Sequence, residues 1–176
     1  MKNVLFSVCL CPIQFEGGKS KARDVGKRMA TRSKRLKPGD RDLARRLFAI
    51  MAEVFGEDHE ALSDAYIDSL IAREDFWAIA AYIDDQIVGG VTAHTLPMTR
   101  TASSEVFVYD IAVRNDHRRK GVGRHLMSEL RDSAAARGIR VLFVPAENHD
   151  LHALDFYRAL GGTPSQVTTF TFTYRE

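Results

Sequence analysis

Residues 110–130 read "DIAVRNDHRRKGVGRHLMSEL", and this stretch decides the fold. An apolar run holding one acid, Asp110, stops at a polar turn. Three consecutive cations follow, Arg118, Arg119 and Lys120, and then Gly121-Val122-Gly123. Beyond the glycines, Leu126, Leu130 and Ala134 keep helical spacing. A strand, a glycine turn and a helix start together make an anion-binding geometry: glycines let the backbone approach, unpaired N–H groups point outward, and the helix dipole favours negative charge. The cations add charge at the same spot. The plain alternative is a solvated basic turn ahead of a helix. Neither G-x-x-x-x-G-K-S/T nor G-x-G-x-x-G is present, so neither of the common nucleotide fingerprints applies.

Working outward, Asp110 lies inside a near-continuous apolar strand, 105–113, of the kind that has both sheet faces covered. Upstream, "FWAIAAYI" (76–83) and "IVGGVTAHTL" (87–96) read as strands joined by a turn at Asp84-Asp85-Gln86. Ahead of them, a short strand ends at Pro38-Gly39. Asp40 can cap a helix carrying Leu43, Leu47, Ile50, Met51 and Val54, and a second helical pattern from Ser63 aligns Tyr66, Ile67, Leu70 and Ile71. Downstream, the helix from Gly123 runs to about Arg137, with Gly138 as its stop. "VLFVPA" (141–146) reads as a buried strand. Asp150 caps a last helix that ends at Gly161-Gly162, and "VTTFTFTYR" (167–175) alternates like an antiparallel strand. The predicted order is β-α-α-β-β-β-α-β-α-β, a mixed α/β sheet.

A chain of 176 residues suits one domain. Cys9 and Cys11 make neither a disulfide framework nor a complete metal site, which fits a reducing, cytoplasmic setting. No apolar run approaches the ~20 residues that span a bilayer, and no membrane partner is expected. Residues 1–50 carry 13 Lys/Arg against 4 Asp/Glu, while the remainder carries 12 against 19. Residues 14–31 lack apolar periodicity, and residues 1–31 read as a flexible basic extension, with the folded domain over 32–176. A basic arm could bind nucleic acid, but it has no aromatic interleaving, and the acidic body argues against that partner.

The stretch Arg118-Arg119-Lys120-Gly121-Val122-Gly123 matches the R/Q-x-x-G-x-G/A signature of the GNAT superfamily of N-acetyltransferases. "DIAV" before it, the amphipathic helix after it and "ALDFYRALGG" (153–162) extend the resemblance across roughly residues 32–174. It implies the GNAT fold, a mixed central sheet flanked by helices, with acetyl-coenzyme A as cosubstrate. By the same resemblance, backbone contacts to the coenzyme fall at Ile111, Ala112 and Val113, and pyrophosphate contacts at Arg118, Arg119, Lys120, Gly121, Val122, Gly123 and Arg124. The stretches "FWAIAAYIDDQIVGGVTAHTLP", "SEVFVYDIAVRNDHRRKGVG" and "FVPAENHDLHALDFYRALG" resemble the aminoglycoside 3-N-acetyltransferases in particular. That likeness implies an aminoglycoside acceptor and antibiotic resistance.

Acetyl transfer to an amine needs a base for the ammonium proton, a donor to the thioester oxygen and an acid for the departing thiolate. Asp110 is the candidate base, because a carboxylate in an apolar strand is costly unless it has a partner or a task. Simple strand parity puts Glu105, Phe107, Tyr109 and Ile111 on one face and Asp110 on the other. A β-bulge would change that. Without one, Tyr109 or Glu105 faces the amine instead. Tyr157 resembles the family's general acid; the alternative is an aromatic core residue on the Ala153, Tyr157, Leu160 stripe. The oxyanion donor is expected to be a backbone N–H near Ile111. Glu147 and Asp150, with Glu57, Asp58 and Glu60 opposite, are candidates for attracting a polycationic acceptor. The histidines show no ligand spacing beside a third ligand, so no metal is predicted. Rival readings keep the fold and change the acceptor to a polyamine or a protein N-terminus, or make the chain a non-catalytic coenzyme A-binding regulator. Relatives are often dimers, and the terminal alternating segment could pair across a homodimer interface.

Overall fold

The structure is a computed structural model and describes residues 30–57 and 61–174. The extension expected over 1–31 lies almost wholly outside the described residues, as do Asp58 and Glu60. Helix α1 (Arg41–Phe55) and helix α2 (Asp64–Ile71) follow strand β1 (Arg32–Arg35). Strands β2 (Phe76–Ile83), β3 (Gln86–Pro97) and β4 (Ser104–Val113) come next. Helix α3 (Val122–Ala135), the short strand β5 (Leu142–Phe143) and helix α4 (Leu151–Ala159) complete the order.

The five strands lie in sequence order in one sheet. β1 to β4 pair antiparallel, and β5 joins β4 in parallel. The β2–β3 hairpin turns at Asp84 and Asp85, both with positive φ (48° and 61°), as a two-residue turn that matches strand twist requires. Strand alternation sorts apolar side chains into two cores. Trp77, Ile79, Val91, Val106, Val108, Ile111 and Val113 pack with Leu126, Leu130 and Ala153 on one face. Phe76, Ala78, Ala80 and Ala112 pack with Leu47, Met51, Ile67 and Ile71 on the other. α1 presses so closely on the sheet that a Cβ at Gly90 would lie 2.4 Å from Leu47 Cδ1.

Three expectations are corrected. Asp40 stands at the N-cap of α1 but makes no side-chain cap bond. Its carboxylate instead accepts from the Lys37 N–H (3.1 Å) and from Lys34 Nζ (2.7 Å), a competing local geometry open to any Asp beside a turn. Residues 141–146 form only a two-residue strand, with Val141 48% and Phe143 42% exposed, because the run stands at a sheet edge and Pro145 cannot continue the ladder. Residues 167–174 form no strand. Phe170, Phe172 and Tyr174 are at least 77% exposed, since alternation gives a segment its two faces but not a partner edge.

Candidate active site

Asp110 reaches its position through an irregularity in β4. The β3–β4 register runs Thr92↔Asp110 and then Ala93↔Val108, so Tyr109 is an extra residue. This bulge reverses strand parity halfway along β4. Val106 and Val108 precede it, Ile111 and Val113 follow it, and all four enter the α3/α4 core. Asp110 shares the α1/α2 face with Thr92, which is buried, and with Ala112. Thr92 Oγ1 donates a long 3.5 Å hydrogen bond to the Asp110 carboxylate. Among the described residues Asp110 has no ion-pair partner. Burial, reinforced by the like charge of Glu57 and opposed by the Thr92 hydroxyl, pushes its carboxyl up to about 6. A carboxylate with that value titrates close to neutrality, which suits proton transfer.

The other side of β4 opens toward α4. β5 pairs with β4 only at Val106↔Leu142 and Phe107↔Phe143, so strand pairing stops before Asp110. The Arg114 N–H donates to Val88 in β3 (2.9 Å). By strand alternation the N–H groups of Ile111 and Val113 therefore point away from β3, into the opening. Tyr157, on the inner side of α4, packs against the same core, and its hydroxyl is buried without a hydrogen-bond partner among the described residues. Burial raises its pKa, and the charges of Asp150 and Asp110 raise it further. The phenol therefore stays protonated and keeps a proton to donate.

The glycine turn stands at the end of the opening. A 3-10 turn, Asn115–His117, leads into it. Arg118 folds back, its Nε donating to the Val113 carbonyl at 3.1 Å. Arg119 adopts φ 60° and Gly121 φ 88°, the left-handed residues that reverse the chain into α3. The first helical bond runs from the His125 N–H to the Gly121 carbonyl (2.9 Å), so the amides of Val122, Gly123 and Arg124 have no carbonyl within the helix. A Cβ at Gly123 would meet the Phe156 ring at 3.2 Å, so glycine here lets the helix start sit directly against α4. Arg119, Lys120 and Arg124 are exposed around these amides, whereas the Val122 side chain is buried in the core and offers only its N–H. An orphaned buried hydroxyl, a row of helix-start amides and surrounding cations fit a phosphate-bearing thioester.

The acidic candidates are not all gathered. Glu57 stands just past α1, and its charge acts on both Asp110 and Tyr109. Tyr109 is 39% exposed beside them. Asp150 caps α4, accepting from the Ala153 N–H at 2.9 Å, and its charge reaches Tyr157. Glu147, at the end of the β5 segment, faces His149 Nδ1 at 3.3 Å. Glu105 lies five residues before Asp110 along β4, about 15 Å away at strand rise, and belongs to the far end of the strand. Sequence reading missed Thr92, Phe107, Phe143, His94 and Phe156. Cross-strand register brings Thr92 to Asp110, His94 to Tyr109 and Phe143 to Phe107, and a single chain pattern does not carry that register.

Among the described residues no group of His, Cys, Asp and Glu could hold a metal, and no helix is long and apolar enough to cross a membrane. Comparison with known proteins gives a consistent picture. The model of the acetyltransferase (GNAT) family matches residues 44–161. An aminoglycoside acetyltransferase from an uncultured soil metagenomic sample superposes with a TM-score of 0.78 at 30% identity, over 84% of this chain and 100% of that one. A second soil metagenomic aminoglycoside acetyltransferase, solved in complex with sisomicin, gives a TM-score of 0.79 at 25% identity, over 82% of this chain and 97% of that one. The ribosomal protein bS18-alanine N-acetyltransferase of Escherichia coli strain K12 is 28% identical over 80 residues, 46% of this chain. The matched stretch spans only 54% of that enzyme's length. With its bulged β4, its parted β4 and β5 and the glycine turn at the start of α3, the chain belongs to the acetyltransferase (GNAT) family.

Proposed function

We propose that the chain transfers the acetyl group of acetyl-coenzyme A to an amine of an aminoglycoside, at the 3-position of the deoxystreptamine ring, by direct transfer in a ternary complex. The observation that carries the reading is the division of labour across β4: a carboxyl titrating near 6 on one side, a buried protonated phenol without a partner on the other. When bound, acetyl-coenzyme A supplies the acetyl group as an activated thioester. The amides of Val122, Gly123 and Arg124, with Arg118, Arg119 and Lys120, hold the pyrophosphate, and the backbone of Ile111, Ala112 and Val113 aligns the pantetheine arm. Asp110 takes the proton from the acceptor ammonium, directly or through a water. The outward N–H of Ile111 or Val113 donates to the thioester oxygen as charge builds there. The Tyr157 hydroxyl gives its proton to the departing thiolate. Glu57, Tyr109, Glu147 and Asp150 shape the acceptor side, and Glu105, at the far end of β4, takes no part in it.

The acceptor assignment is supported by two full-length structural relatives that are aminoglycoside acetyltransferases, one of them in complex with sisomicin. The match to a ribosomal protein alanine acetyltransferase favours a second reading, a protein N-terminus as acceptor. Thiol release from acetyl-coenzyme A against gentamicin, kanamycin, spermidine and an alanine-terminated peptide separates them, and NMR of the purified product locates the acetyl group. Turnover of the peptide without any aminoglycoside would overturn the acceptor assignment.

A further inference from the structure

An aromatic row crosses the sheet beside Asp110. Four strands each contribute one ring in direct register: Phe76 of β2 opposite His94 of β3, His94 opposite Phe107 of β4, and Phe107 opposite Phe143 of β5. The ring centroids confirm the contact, at 5.2 Å for Phe76–His94 and 5.3 Å for Phe107–Phe143. Tyr109, the bulged residue, closes the row from above, its ring 6.0 Å from both His94 and Phe107. Phe48 of α1 lies against the first ring. Exposure grades along the row: Phe76 is 7% exposed under α1, Tyr109 39%, and Phe143, at the sheet edge, 42%.

That gradient separates the two ends in purpose. The Phe48–Phe76 end is core. The Tyr109–Phe107–Phe143 end emerges on the face that carries Asp110, within reach of the Glu57 charge. A saturated, oxygenated six-membered ring has one face of C–H groups and a rim of hydroxyl and ammonium groups. Aromatic faces carry negative quadrupole charge, which attracts such polarised C–H groups and nearby ammonium. Carboxylates at the side take the rim. A linear polyamine or an extended peptide end has no flat C–H face to offer.

We propose that Phe107, Tyr109 and Phe143 form a stacking floor for a sugar or cyclitol ring of the acceptor and so determine acceptor specificity. The inference rests on the aminoglycoside reading above and adds the residues that select it.

Steady-state kinetics on the full chain test it, with Phe143→Leu, which keeps bulk but removes the ring face, Phe143→Ala, and Phe143→Tyr as rescue. Each is assayed with kanamycin and with spermidine. The kanamycin KM of the Leu and Ala variants should rise about 3- to 30-fold, the range of a ring contact worth roughly 0.5–2 kcal/mol. Their kcat and acetyl-coenzyme A KM should stay within about twofold on the same scale, and Phe143→Tyr should restore the kanamycin KM. An unchanged kanamycin KM in the folded Leu variant overturns the floor while leaving the acceptor reading intact. An equal rise for spermidine overturns it too, as does loss of a dimer with KM unmoved, which would make the row an interface between copies. Absence of wild-type turnover with any aminoglycoside overturns the acceptor reading itself, and the floor with it.

Discussion

At the residue scale the proposed activity turns on one carboxyl. The proposed base, Asp110, can take a proton only when ionised, and burial together with the Glu57 charge holds its carboxyl up to about 6. The acidic limb of kcat/KM should therefore fall near that pH, with activity lost as the carboxyl protonates below it. Asp110→Asn should lower kcat by about 10²–10⁴, the usual contribution of a positioned base, and erase that limb. Glu57→Gln removes a like charge and eases ionisation, so the limb should move to lower pH. A pH–rate series on the three proteins checks both signs; a limb that stays in place in Asp110→Asn assigns the proton to another group. Tyr157 gives the opposite test. Its hydroxyl is buried without a partner, so Tyr157→Phe should leave the packing intact and melt no lower than wild type. Its kcat should nevertheless drop at least tenfold if the phenol protonates the thiolate, by the same acid–base arithmetic.

At the element scale the start of α3 is the proposed receptor for phosphate, built from backbone. Gly121 holds φ 88°, a conformation costly for a residue with a Cβ, and it stands beside the helix-start amides proposed to meet the anion. Gly121→Asp should abolish acetyl-coenzyme A binding measured by calorimetric titration, because a carboxylate replaces open space beside the pyrophosphate. Near-normal affinity in a folded variant would give the turn another role. This turn was legible in the sequence because its chemistry is local: three cations, two glycines and a helical stripe within a dozen residues. Most of the elements were legible for the same reason. β2, β3 and α1 keep their apolar period, and Ser63 and Asp150 cap α2 and α4 through bonds to Tyr66 and Ala153. What failed was non-local. Whether 141–146 is long or short, and whether 167–174 finds a partner, depends on edges that no periodicity describes. The same holds for the aromatic row, whose members are scattered from Phe76 to Phe143 and meet only through register.

At the scale of the whole molecule, charge and apolar surface are unevenly divided. Cations concentrate in the first 50 residues, and the rest of the chain is acidic apart from the glycine-turn cluster. Removing residues 1–28 should leave turnover of a good substrate within a few-fold, since residues 14–31 show no apolar periodicity in the sequence. Loss of cooperative unfolding in the shortened chain would show that it packs on the body. The two cores, one under α1/α2 and one under α3/α4, share a single sheet, and β4 serves both. The added residue at Tyr109 acts there as a frameshift acts in a message with a two-letter period. Before it, even-numbered side chains enter the α3/α4 layer; after it, odd-numbered ones do. Deleting one residue at this point would leave the composition of the strand almost unchanged. It would, however, carry the carboxylate into the layer of Leu126 and Leu130, and turn Ile111 and Val113 toward the layer of α1 and α2. The site is thus written in the phase of β4 as much as in its letters, and swapping side chains cannot restore a phase that a deletion has lost.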